Sequence, residues 1–137
     1  MMTVIAAVAS ALFVSAEADT TLADYRWNAR PIVVFAGPND PRLAEQRALF
    51  EAARGELLER DNVVIVDLRD TSALRRRFRP GAFTVLLVGK DGGEKIRGVH
   101  HLLNVVLHAL IDTMPMRRRE MRHRGEVEMN TQGGDDR

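Results

Sequence analysis

Asp40, Gln46 and Arg47 put a carboxylate, an amide and a guanidinium near the start of one helix. They follow an apolar run and the loop Gly37-Pro38-Asn39. A helix N-terminus favours anions. With Asn39 and Arg42 these residues outline a candidate ligand or partner surface, to which Arg117 and Arg118 add cations from the C-terminal segment. Asp40 also has a plain structural role. It precedes Pro41, so Pro takes the first helical position and the carboxylate accepts from free N–H groups of the first turn.

The other polar constellations read more weakly. His100, His101 and His108 lack the i,i+3 or i,i+4 spacing of a helical metal pair; His108 and Asp112 have it, but surface positions on an amphipathic helix explain them as well. Asp67 and Asp70 stand at the carboxyl end of an apolar run, where α/β proteins often bind ligands. A helix cap and an exposed turn account for both. Met114, Met116 and Met121 offer soft sulfur, though packing of a C-terminal helix suffices. Outside the first eighteen residues the only serine is Ser72, again at a cap position. No metal site, cofactor or catalytic residue is assigned.

Composition narrows the classes further. The chain has no cysteine, so disulfides, thiolate catalysis and Cys-ligated metals are excluded. A net charge of +1 gives no global field toward nucleic acid. All but Lys90 and Lys95 of the 20 basic residues are Arg, clustered at Arg75–Arg79 and Arg117–Arg124. Those clusters suit an acidic partner, but without interleaved aromatics they do not suit base stacking.

These side chains need a frame. Val4 to Val14 is apolar apart from Ser10, too short to span a bilayer and followed by Ala16-Glu17-Ala18. It reads as a secretory leader over residues 1–18; the alternative is a buried first element of the domain. Leu22, Tyr25 and Trp27 then anchor an N-terminal arm. Ile32 to Ala36 reads as a strand buried on both faces. A helix follows to about Glu59, with Leu43, Phe50, Ala53 and Leu57 on its inner face. Val63 to Leu68 is a second buried strand, and Asp70 or Thr71 caps a short helix through Arg79 with Leu74 and Phe78 inward. Thr84–Val88 and Glu94–Val99, joined at Asp91-Gly92-Gly93, form an antiparallel hairpin. A helix from about Leu102 to Thr113 buries Leu103, Val106, Leu107, Leu110 and Ile111 and stops before Pro115. A basic helical extension runs to Arg124, and residues 125–137 read as a polar, disordered tail.

The resulting order, β-α-β-α-β-β-α, is that of the thioredoxin-like fold: an α/β three-layer sandwich around a mixed four-stranded sheet, in one domain over residues 19–124. Arg30-Pro31-Ile32-Val33-Val34-Phe35-Ala36, Arg60-Asp61, Leu87-Val88-Gly89-Lys90-Asp91-Gly92-Gly93 and Met114-Pro115-Met116-Arg117-Arg118 resemble the family called domain of unknown function 4174. The resemblance spans about Trp27 to Met121. It implies a thioredoxin- or peroxiredoxin-like fold in an exported bacterial protein, and no established activity.

A thioredoxin-type enzyme carries its nucleophilic Cys at the loop that here runs from Gly37 to Asp40. With that chemistry gone, the leading expectation is a non-catalytic, exported binding module, periplasmic or secreted. It would bind a protein or anionic ligand of the cell envelope, with no nucleic acid and no membrane span once the leader is removed. The alternative is a thiol-independent enzyme acting at residues 37–47.

Overall fold

The computed structural model of the chain describes residues 11–99 and 104–132. Its centre is a five-stranded mixed sheet in the order β1-β3-β2-β4-β5. The strands are β1 (Phe13–Ser15), β2 (Arg30–Phe35), β3 (Asn62–Asp67), β4 (Thr84–Val88) and β5 (Glu94–Gly98). β1, β3 and β2 run parallel, and β2–β4 and β4–β5 are antiparallel. The helices are α1 (Pro41–Ala52), α2 (Arg54–Glu59), α3 (Ala73–Phe78), α4 (Asn104–Asp112) and α5 (Pro115–Gln132).

Alternation along the strands assigns the two faces. Ile32, Val34, Val64, Val66, Val85 and Leu87 point to one side, where Leu43 and Phe50 of α1, Leu57 of α2 and Leu107 and Ile111 of α4 cover them. Val33, Phe35, Ile65, Leu86 and Val88 point to the other, under Leu74 and Phe78 of α3 and Leu22 of the N-terminal arm. Phe50 and Leu57 are fully buried, each contributing about 1.5–3 kcal/mol of hydrophobic stabilisation.

The sheet has one strand more than the sequence suggests. The fifth is β1, drawn from the apolar run read as a leader. Leu12 is 1% exposed and Ala16 is buried. Val64 N–H donates to the Leu12 carbonyl at 2.7 Å, and Ala16 N–H donates to Val66 at 2.8 Å. A leader core and a buried parallel strand require the same uninterrupted apolar residues, so composition does not separate them.

Other differences have local causes. The long helix expected through Glu59 breaks at Ala53 (φ −112°, ψ 25°), where Ala53 N–H bonds back to Phe50 instead of one residue further, two residues ahead of Gly55. The cap of α3 is Ser72, not Asp70 or Thr71. The Ser72 hydroxyl accepts from Arg75 N–H at 3.1 Å and donates to the buried Asp67 carboxylate. Arg75 turns inward and donates to the Ala36 and Asp67 carbonyls, both at 3.3 Å. Val106 is 42% exposed rather than core. The backbone of α5 continues past Gly125 to Gln132, where a polar tail was expected. His100, His101 and Leu103 lie outside the described residues. The hairpin is as expected, with Gly92 at φ +86° in its turn. Among the described residues no helix is long and apolar enough to cross a membrane.

Candidate functional site

The loop after β2 is occupied by its own structural work. Asp40 caps α1 by accepting from Arg42 N–H at 2.9 Å, and both its oxygens also take the Arg42 guanidinium, at 2.6–3.2 Å. These bonds from Arg42 hold the Asp40 carboxyl below its ordinary value. Arg42 in turn lies 4.9 Å from the Phe83 ring. Gln46 is 0% exposed, which removes it from any accessible surface. Arg47 turns away and sits 5.0 Å from the Phe13 ring of β1. Asn39 is exposed at the turn. The expected surface is thus split, with Asp40 and Arg42 spent on each other and Arg117 and Arg118 at the opposite end of the sheet.

That opposite end, where β2 and β3 begin and β4 ends, holds the densest polar chemistry. Arg117 is 2% exposed, a correction to its reading as a surface cation. It donates to Asp112 Oδ1 at 3.2 Å, to the Glu59 carbonyl at 3.3 Å and to Glu59 Oε1 at 3.2 Å. Arg60 takes the same Asp112 carboxylate through two bonds, at 2.9 and 3.1 Å. Arg30, 1% exposed, reaches the Arg60 carbonyl at 2.9 Å and Glu120 at 3.2–3.3 Å. Lys90 bridges Glu120 at 2.8 Å and Asp61 at 2.7 Å. Arg124 adds a second cation to Glu59. The network ties α5 to α2, α4, β2 and the β4–β5 turn at once.

The expected His108–Asp112 ion site is not formed, because Asp112 is already taken by the two arginines. His108 is half-buried with no partner at Nε2. Burial, then Arg60, push its pKa below the ordinary value. Among the described residues no group of three His, Asp or Glu side chains converges as a metal site. Nor do the three methionines share one depression, since Met114 and Met116 face one and Met121 another.

Beside the network lies a cleft of about 260 Å³. Trp27, Met114, Pro115 and Met116 provide its apolar walls, and Lys95 and Arg119 stand on its rim. Trp27 was expected to pin the arm to the sheet. Leu22 does that instead, and Trp27 is 55% exposed. Its backbone is fixed in the left-handed region at φ 69°, with its N–H donating to the Lys90 carbonyl at 2.6 Å. A bulky residue held at positive φ is unusual, and here it presents the chain's single indole beside the α4–α5 junction. Arg26 stacks on the ring at 5.2 Å. Buried Arg30 lines the cleft and keeps a buried Nε–H without an acceptor. The sequence signal for this site was the lone Trp and the Met-Pro-Met segment between two helices. Nothing in the spacing joined them, because they meet only through the sheet.

The network makes stability pH-dependent. Glu59 is lowered by its bonds from Arg117 and Arg124. In Asp112 and Glu120 burial works to raise the pKa, but Arg60 and Arg117, and Lys90 and Arg30, outweigh it and hold both below their ordinary values of 3.8 and 4.5. Depressed carboxylates bind more protons unfolded than folded, so their contribution is complete above the unfolded value and lost as pH falls. The urea midpoint is expected to be flat above about pH 5 apart from a shallow decline below pH 6.5 from His108, then to fall steeply toward about pH 3. An Asp112→Asn variant should fall less steeply in that acid window, and identical profiles would show the network to be energetically idle.

Comparison with known proteins agrees with this architecture. No curated protein matches the chain. Among solved structures, it is similar to thioredoxin-2, a component of the malaria parasite protein secretion machinery. The match has 19% identity over 63% of this chain and 84% of that one, with a TM-score of 0.52. A second malarial protein matches at 20% identity, over 62% and 96% of the two chains, with a TM-score of 0.49. At such identity the likeness bears on fold, and the fold is thioredoxin-like. The family described as Domain of unknown function (DUF4174) matches residues 21–120. That stretch holds β2 through β5 and, apart from Arg124, the network that seats α5, and the chain belongs to the DUF4174 family.

Proposed function

We propose that the protein is a non-catalytic binding module on a thioredoxin-like fold, and that its binding face is the cleft between Trp27 and Met114–Met116. The observation that carries this reading is the half-exposed indole of Trp27, held at positive φ over a concave apolar wall. Aromatic, Met and Arg side chains are enriched where proteins bind partners. The loop at residues 37–40, where a thiol enzyme would act, offers no cysteine, and Asp40 there is committed to Arg42. The proposal extends to a cell-envelope location, supported by the apolar run Val4 to Val14. Any cut that releases the protein must then fall ahead of Leu12 if β1 is to be kept.

Crosslinking and affinity capture from the native envelope, run with three proteins side by side, tests the reading. Trp27→Asn removes the ring while tolerating positive φ better than most residues. Capture by this variant is expected to weaken about tenfold or more, as for a central aromatic contact. Asp40→Ala combined with Arg47→Ala should capture as the unmodified protein does. The reverse pattern would return the site to the α1 loop.

A further inference from the structure

We infer that the occupant of this face is an acidic polypeptide segment carrying one bulky apolar side chain, an inference that rests on the binding role proposed for the cleft. At about 260 Å³ the cleft is smaller than the roughly 300–1,000 Å³ of sites that enclose a whole small ligand. It is sized for a side chain. Pro115 and Arg119 also border a second, broader groove of about 680 Å³ along α5, with Thr113, Arg118, Met121 and Arg122. An occupant anchored at Trp27 therefore has a path along the helix.

The groove decides the charge of that occupant. Arg117 and Arg124 are bound to carboxylates of the domain. Among the described residues Arg118, Arg119 and Arg122 have no ion pair, and with them the last two turns of α5 before Gly125 present a bank of guanidinium groups to the groove. On the cleft rim the one carboxylate, Asp91, is held by Lys95 at 2.8 Å and Gly93 N–H at 2.9 Å. Guanidinium forks match carboxylates in plane and spacing. Arg118 and Arg122, one helical turn apart, are separated by about 6 Å along the axis. Alternate residues of an extended chain repeat every ~6.6 Å. Acidic residues at alternate positions of a bound segment would therefore meet successive arginines while an apolar neighbour enters the cleft. Met114 and Met116 suit such a guest, since unbranched thioethers adapt to varied shapes.

Two other polyanions fit less well. A membrane surface is engaged by protruding apolar residues, whereas this site is concave. Single-stranded nucleic acid needs a series of aromatic platforms, and Trp27 is the one aromatic lining either depression.

The single Trp makes the test direct, because emission from Trp27 reports on the cleft alone. The full chain is titrated with a short Asp/Glu-rich peptide containing one central Leu, with its Leu→Ser form, and with a Lys-rich counterpart. The acidic Leu peptide is expected to shift the emission saturably. The other two should bind at least about tenfold more weakly. Binding should weaken with added salt. Arg118→Glu, Arg119→Glu and Arg122→Glu together should abolish the shift with the thermal transition unchanged, and Arg119→Gln alone serves if the triple variant does not fold. Equal binding of the Lys-rich peptide overturns the inference. So does a response to phosphatidylglycerol vesicles without one to the peptide, which would assign the face to a lipid surface. Anilinonaphthalene sulfonate, a small apolar anion, separates the two levels. If it quenches Trp27 while the peptide does nothing, the cleft stands and the acidic-segment inference falls; if neither acts, both fall.

Discussion

A chain beginning at Asp19 is expected to lose much of its stability and to self-associate. Removing residues 1–18 takes away β1, and with it Leu12, which is packed into the larger core cluster. It also takes the carbonyl that accepts from Val64 N–H, the N–H that donates to Val66, and the Ala18 carbonyl that accepts from Ala73 at the start of α3. β3 would become an edge, with Val64 and Val66 beside unpaired backbone groups, and such edges recruit strands from other molecules. Leu12→Ala isolates the packing component and should cost about 2–4 kcal/mol. Urea unfolding and size-exclusion chromatography measure both effects, with a chain shortened only to Ala11 as the matched comparison. Equal midpoints for the chains starting at Ala11 and Asp19 would show β1 to be dispensable, and cleavage after Ala18 would then be compatible with a folded product. The intact mass of the naturally produced protein gives the same answer from the other direction.

The ambiguity at β1 shows where sequence reasoning stops. β2, β3 and β4 were legible because runs such as Ile32–Phe35 and Val85–Val88 are short, apolar on both faces and bounded by turn residues, as a strand covered on both sides is. The hairpin was legible because its turn chemistry is local, in Asp91-Gly92-Gly93. The start of α1 was legible for the same reason, Asp40 and Pro41 being adjacent to the groups they serve. Gln46 and Arg117 were misread as surface residues because polar character is a weak guide to burial when the partners are distant. Arg117 finds Glu59 fifty-eight positions away, and no helical periodicity announces that bond. The cleft was illegible for a related reason. Trp27 reaches the α4–α5 junction only after the β4–β5 turn has fixed its backbone through Lys90.

Arg117→Ala is expected to be the most damaging single substitution in the C-terminal half. The side chain is almost wholly buried, and its loss leaves a void as well as unmatched charge. Breaking a buried ion pair from one side typically costs about 3–5 kcal/mol. The figure here should be nearer about 2–4 kcal/mol, because Glu59 and Asp112 are partly exposed and retain Arg124 and Arg60. Arg117→Met keeps most of the stem packing and removes the charge, so the difference between the two variants measures the void alone. Adding Glu59→Gln and Asp112→Asn to Arg117→Met should recover part of the stability if uncompensated carboxylates are the cause, the gain being limited because Arg60 and Arg124 then lose their partners. The consequence reaches the binding face. Arg117 is two residues from Pro115, and α5 is seated on the domain through Arg117, Glu120 and Arg124. A loosened α5 draws Pro115 and Met116 away from Trp27, so Arg117→Ala should also shift the emission of the free protein and blunt its response to ligand. A cost of ~1 kcal/mol or less, the range of exposed ion pairs, would mean that apolar contacts such as Met114 against the core hold the helix, and the network would lose its role in shaping the cleft.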